Sequence, residues 1–145
     1  MEKVKEGGKT MLSHFGRKIA LFGESEKGDF HSLLSFSSLP ILAETLGNPP
    51  EGSHGLHLAI QTLLFKKEII FIRVKEEGFS LKDYMKGLTL LKESEKLKEV
   101  SAICMPGVGH KHILEEAFHY CHQFGSILIT TEKDFYDYLT SFPKS

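Results

Sequence analysis

Four short apolar runs punctuate the chain: Lys18-Ile-Ala-Leu-Phe22, Glu68-Ile-Ile-Phe-Ile-Arg-Val74, Val100-Ser-Ala-Ile-Cys-Met105 and Ser126-Ile-Leu-Ile-Thr-Thr131. Each is too short for a helix and is bounded by Gly, Pro or charge, which reads as a strand buried on both faces. Between them lie longer segments whose apolar residues recur at helical spacing. Strands alternating with helices predict an α/β fold: a three-layer Rossmann-like domain of about four mainly parallel strands with helices on both faces. Ile70, Ile72, Ile103 and Leu128 are expected at the centre of its core.

The helical segments carry their own start and stop signals. Ser38-Leu-Pro-Ile-Leu-Ala-Glu-Thr-Leu-Gly47 has a capping residue, Pro40 in the first turn and a terminal glycine. Asn48-Pro-Pro-Glu-Gly52 forms a turn, and Gly55 to Phe65 is the next helix, with Leu56, Ala59, Ile60, Leu63 and Leu64 on one face. Ser80 with Asp83 three positions later predicts a cap for a helix reaching about Ser94 along Leu81, Tyr84, Met85, Leu88 and Leu91. Lys111 to Phe124 presents Ile113, Leu114, Ala117, Phe118 and Cys121 to the sheet and stops at Gly125; Lys133 to Phe142 is the last helix. Residues 1–16, polar and without a period, read as a flexible leader before a single domain over 17–145.

Composition narrows the function classes. With 18 basic against 19 acidic residues, the net charge of −1 offers no electrostatic footprint for nucleic acid or an anionic membrane. No apolar stretch approaches the roughly 18 residues of a membrane span. Cys104 and Cys121 fall inside predicted elements, so both are expected as buried free thiols in a reducing compartment, the cytoplasm.

In parallel sheets, ligands collect where the strands end at their carboxyl edge. The loops expected there supply the candidate residues: Gly23, Glu24, Glu26 and Asp29 after the first strand, Arg73, Glu76 and Glu77 after the second, Gly107 and His110 after the third, and Glu132 and Asp134 after the fourth. Gly23-x4-Gly28 has the glycine spacing of a phosphate-binding loop, but Asp29-Phe30 stands where Lys-Ser/Thr is required. The carboxylates outnumber the lysines there, so no phosphate cofactor is expected. His110, His112, His119 and His122 crowd thirteen positions, yet Cys121 belongs to the opposite helical stripe, and no metal site is assigned. No nucleophile elbow is present, and no catalytic residue is assigned. Arg73, the one charge inside a buried run, is expected to pair with a loop carboxylate: Glu24, Glu132 or Asp134.

The order of several motifs resembles the α/β core of contractile tail sheath proteins, found in phage tails and related injection machines. The matching pieces are Phe22-Gly-Glu-Ser-Glu-Lys-Gly28, the segment Leu39 to Gly47, the helix Leu56 to Leu64 and Ile70-Phe-Ile-Arg-Val74. Gly87-Leu-Thr-Leu-Leu91 and Ala102-Ile-Cys-Met-Pro-Gly107 follow, and the likeness spans about residues 18 to 131. Lys75-Glu-Glu-Gly78 is shorter than the corresponding excursion of the family, whose subunits are also longer. The resemblance implies a non-enzymatic assembly domain whose partner is protein, a homo-oligomer of this chain included, rather than nucleic acid or membrane. The alternative is a small Rossmann-like enzyme or ligand-binding domain that uses the acidic carboxyl edge for a nucleoside, sugar or metal.

Overall fold

A computed structural model describes residues 18–141. The leader expected over 1–16, and Phe142 of the last helix, lie outside them. The chain runs β1 (Lys18–Gly23), β2 (Leu34–Phe36), α1 (Leu39–Leu46), α2 (Gly55–Leu64), β3 (Ile69–Arg73), α3 (Leu81–Glu93), β4 (Val100–Cys104), α4 (Lys111–Phe124), β5 (Ile127–Ile129) and α5 (Glu132–Thr140). A turn of 3₁₀ helix, Lys96–Glu99, leads into β4.

The strands form one sheet in the order β2-β3-β1-β4-β5. All pairs are parallel except β2 with β3. The α/β class is as expected, but among the described residues the strand count is five, not four. The extra strand is three residues at the rim, Leu34-Ser-Phe36, too short to show an alternation among the serines around it. The strands β1, β3 and β4 were legible because their apolar runs are buried on both sides, the pattern a central parallel strand needs, whereas β5 keeps an apolar run although only Ile129 of it is buried.

Alternate residues of each strand feed two cores. Ala20, Phe22, Ile70, Ile72 and Ile103 meet Tyr84, Leu88 and Leu91 of α3 and Ile113, Ala117 and Cys121 of α4. Ile19, Leu21, Phe71 and Cys104 meet Leu42 and Leu46 of α1, Leu56 and Ala59 of α2, and Phe135 and Leu139 of α5. Four of the expected apolar positions depart from expectation, the first being Leu81, 38% exposed at the start of α3. Leu128 is only partly buried because β5 is the last strand of the sheet. Phe118 is 64% exposed on the outer flank of α4, where it stacks on His122 instead of the sheet. Leu64, also 55% exposed, ends α2 beyond the sheet's cover.

The helix caps divide in the same way. Ser38 and Ser80 occupy the capping positions without making the side-chain bond. Ser80 Oγ instead bonds the backbone of Glu76, and Asp83 turns toward the β3 loop.

Candidate functional site

The first strand has β3 on one side and β4 on the other, and the helices that follow β1 and β4 pack on opposite faces. Their loops therefore part at the carboxyl ends of β1 and β4. This is the topological switch point at which an open α/β sheet takes its ligand. The loop after β3 crosses this point. Its Gly78, at φ 90°, lies so close to Gly107 that a Cβ there would stand 2.8 Å from the Gly107 carbonyl.

Glu77 fills the crevice below that crossing. Its Oε2 accepts from Glu24 N at 2.9 Å and Gly55 N at 2.8 Å, and its Oε1 accepts from His54 N at 2.9 Å. Glu24 answers through Oε2, which accepts from Glu77 N at 2.9 Å. The carboxylate thus sits on the amino end of α2, where the helix field and unsatisfied N–H groups favour an anion. Such close seating needs two glycines. A Cβ on Gly55 would stand 2.6 Å from Gly23 Cα, and one on Gly23 would stand 2.8 Å from Gly55 Cα.

Next to Glu77 lies a closed interior. Tyr84 is fully buried, and its hydroxyl oxygen accepts from Gly78 N at 2.7 Å. Burial first, then the Glu77 and Glu24 carboxylates, hold the Tyr84 phenol above its ordinary pKa, with the Gly78 bond acting the other way. Burial and Glu77 likewise raise the Cys104 thiol. Cys121, also free and buried, is pushed up to about 11. Neither thiol has the lowered pKa of a nucleophile.

Arg73 closes the first loop rather than facing a ligand. Its guanidinium donates to the carbonyls of Gly28 at 2.5 Å, Ser25 at 2.9 Å and Glu26 at 3.3 Å. It also lies 4.1 Å from the Phe30 ring centroid. The expected pairing with Glu24, Glu132 or Asp134 is therefore corrected. A strand-end arginine reaches curled carbonyls more readily than a carboxylate here, because Glu24 is held by Glu77 and Glu132 by His54.

The other candidates disperse. Glu26 binds Asn48 N at 2.8 Å, and Asp29 is exposed. Glu76 is exposed, its amide taken by Ser80. His110 caps α4 by accepting from His112 N at 3.1 Å. Asp134 is exposed on α5. Of the eleven positions, Gly23, Glu24, Glu77 and Gly107 come together at the switch point. Glu132 reaches its border by bonding the His54 ring at 2.9 Å.

Three participants escaped sequence reading: His31, His54 and the second role of Asp83. His31 Nε2 lies 3.0 Å from Asp83 Oδ1, while Asp83 Oδ2 accepts from Lys75 N at 2.9 Å. Asp83 is buried and His31 half exposed, in the left-handed region at φ 56°. These contacts span 52 positions for His31–Asp83 and 78 for His54–Glu132, so no local pattern announces them.

Among the described residues no group of three His, Cys, Asp or Glu is placed to hold a metal ion, and no helix is long and apolar enough to cross a membrane. No family model matches the chain, and neither the curated proteins nor the solved structures contain a match to it.

Proposed function

We propose that this chain is a non-enzymatic assembly or protein-interaction domain whose Rossmann-like sheet is scaffold. The observation that carries this reading is the closed switch point. The amides that would hold a phosphate or carboxylate ligand are satisfied by Glu77, and Arg73 is spent on three loop carbonyls. The sequence resemblance to tail sheath cores points the same way; its pieces lie at Gly23 to Gly28 on the β1 loop, Leu39 to Gly47 on α1, Ile70 to Val74 on β3, and Ala102 to Gly107 at the end of β4. In this reading the partners are proteins, a second copy of the chain among them, and not nucleic acid or membrane. The free thiols suit the cytoplasm.

Titration calorimetry with ATP, GTP, NAD and FMN, each with and without Mg²⁺, beside light scattering over a concentration series, tests the reading. Concentration-dependent assembly is expected, with no nucleotide binding tighter than roughly millimolar, about −4 kcal/mol. A micromolar constant for any nucleotide would transfer the assignment to the second reading, a ligand-binding domain at the carboxyl edge. That second reading draws on the histidine–carboxylate contacts His31–Asp83, beside the amide of Lys75, and His54–Glu132, beside Glu77.

A further inference from the structure

Beyond β5 the sheet has no further strand among the described residues. In a parallel ladder, alternate residues turn both N–H and C=O toward the same neighbour. Ile127 and Ile129 are turned toward β4, and the carbonyl of Ile129 accepts from Met105 N at 2.8 Å. Leu128 therefore directs its N–H and C=O to the open side. Alongside this edge, α5 leaves an open groove of about 440 Å³, with Ile127 and Ile129 as floor and Asp134, Asp137 and Tyr138 along the wall. Ile127 is 46% exposed there.

We propose that the β5 edge and this groove take an extended basic segment of a partner protein. The segment adds a sixth strand through Leu128 and sets Lys or Arg side chains against Asp134 and Asp137. This rests on the protein-interaction reading and names the chemistry of one partner. Main-chain bonds to a sheet edge supply affinity, and the side chains on one face of the added strand supply specificity. Residues two apart on that strand face α5, so alternate Lys or Arg side chains meet the carboxylates while their apolar stems cover Ile127.

Charge selects the occupant. A second copy paired about a two-fold axis at Leu128 would bring Asp134 and Asp137 toward their own equivalents, an unfavourable like-charge contact. An acidic segment meets the same repulsion. Lys133 lies 3.1 Å from Asp137, but both side chains are mostly exposed, so this contact yields readily to a competing cation.

The probe is the peptide acetyl-Lys-Val-Lys-Val-Lys-Val-Lys-amide, titrated into the full chain and followed by amide NMR. Saturable binding below about 1 mM is expected, with the Leu128 amide among the largest shifts and weaker binding as salt rises from about 50 to 200 mM. Replacing Lys by Glu in the peptide should abolish binding. N-methylation of its central valine should weaken it about tenfold, as should the double variant Asp134→Asn/Asp137→Asn. Equal binding by the acidic peptide, an unmoved Leu128 amide or no binding at all would overturn the proposal. So would a dimer of the chain that forms through β5. If the peptide fails while the chain still assembles with concentration, the interaction reading survives; a micromolar nucleotide removes that reading whatever the peptide does.

Discussion

The switch point between β1 and β4 and the rim along β5 lie on the same sheet and use the same materials, carboxylates beside exposed main chain. At the switch point, each of the three converging amides meets Glu77, and the crossing at Gly78 and Gly107 excludes anything larger. At the rim, no strand lies beyond Leu128 among the described residues, and Ile127 is 46% exposed. A parallel sheet places its most favourable anion site at the first location as a matter of topology. Here the chain fills that location itself and leaves Ile127, Asp134 and Asp137 exposed along the β5 edge. Fold class thus indicates where to look for a ligand, and the side chains decide whether the place is vacant.

The largest effect should separate centre from rim within one register pair. Ile103 and Leu128 are partners across β4 and β5, yet Ile103 is fully buried and Leu128 only partly so. Ile103→Ala should cost about 2–5 kcal/mol in urea denaturation. Leu128→Ala should cost about 1 kcal/mol, since less apolar area is involved. Equal losses would mean that β5 is covered in solution.

The closed crevice can be opened by one atom's change. Glu77→Gln keeps the shape but offers one acceptor oxygen to three N–H donors, so an amide NH₂ must face at least one of them. A loss of roughly 1.5–3 kcal/mol is expected, the range for hydrogen bonds to a charged group. Hydrogen exchange should accelerate at the amides of Glu24, His54 and Gly55 in particular. Unchanged exchange there would show that Glu77 does not hold the crevice shut.

What sequence disclosed and what it withheld follow the same division. The strands β1, β3 and β4 were legible because burial on both faces demands an unbroken apolar run, and α4 because its stripe ends at a left-handed Gly125. The strand β2 was not, because three half-covered residues carry no period. At the site, the acidic loops were found but their roles were not. Glu24, Glu76, Glu77 and Asp29 look alike in sequence, and only the crossing of the β3 loop over β1 selects Glu77. Arg73 was singled out as a buried-run charge in need of partners, but those partners are carbonyls, which sequence cannot distinguish from the carboxylates beside them.

Alkaline pH should weaken the protein through its buried phenol and thiols. A phenol or thiol whose pKa is raised on folding keeps its proton in the native state after the unfolded chain has lost it. The stability it contributes is full below the unfolded value and is lost as pH rises toward the folded one. Tyr84, Cys104 and Cys121 are all raised, from ordinary values of 10.0 for the tyrosine and 9.0 for the thiols. The melting temperature should therefore hold below about pH 8.5 and fall progressively above it. Tyr84→Phe should reduce that slope, while costing about 1–3 kcal/mol at neutral pH because the buried Gly78 N–H loses its acceptor. A slope identical to that of the unmodified chain would remove Tyr84 from the account.

The smallest effects make the sharpest comparison, because they concern residues that sequence alone cannot tell from Glu77. Glu76 is its immediate neighbour, yet it is exposed, and its backbone is what is engaged, by Phe79 and Ser80. Asp29 is exposed at the far end of the first loop, past the carbonyls that Arg73 gathers. An exposed carboxylate in water loses little when neutralised, so Glu76→Gln and Asp29→Asn should each stay within about 0.5 kcal/mol of the parent. If the acidic edge instead worked as one convergent site, neutralising any member would disturb the others, and the double variants with Glu77→Gln would depart from additivity by about 0.5 kcal/mol or more. Additive doubles are the expected result. They follow from the geometry, in which one carboxylate is enclosed by backbone amides and its neighbours in sequence face solvent.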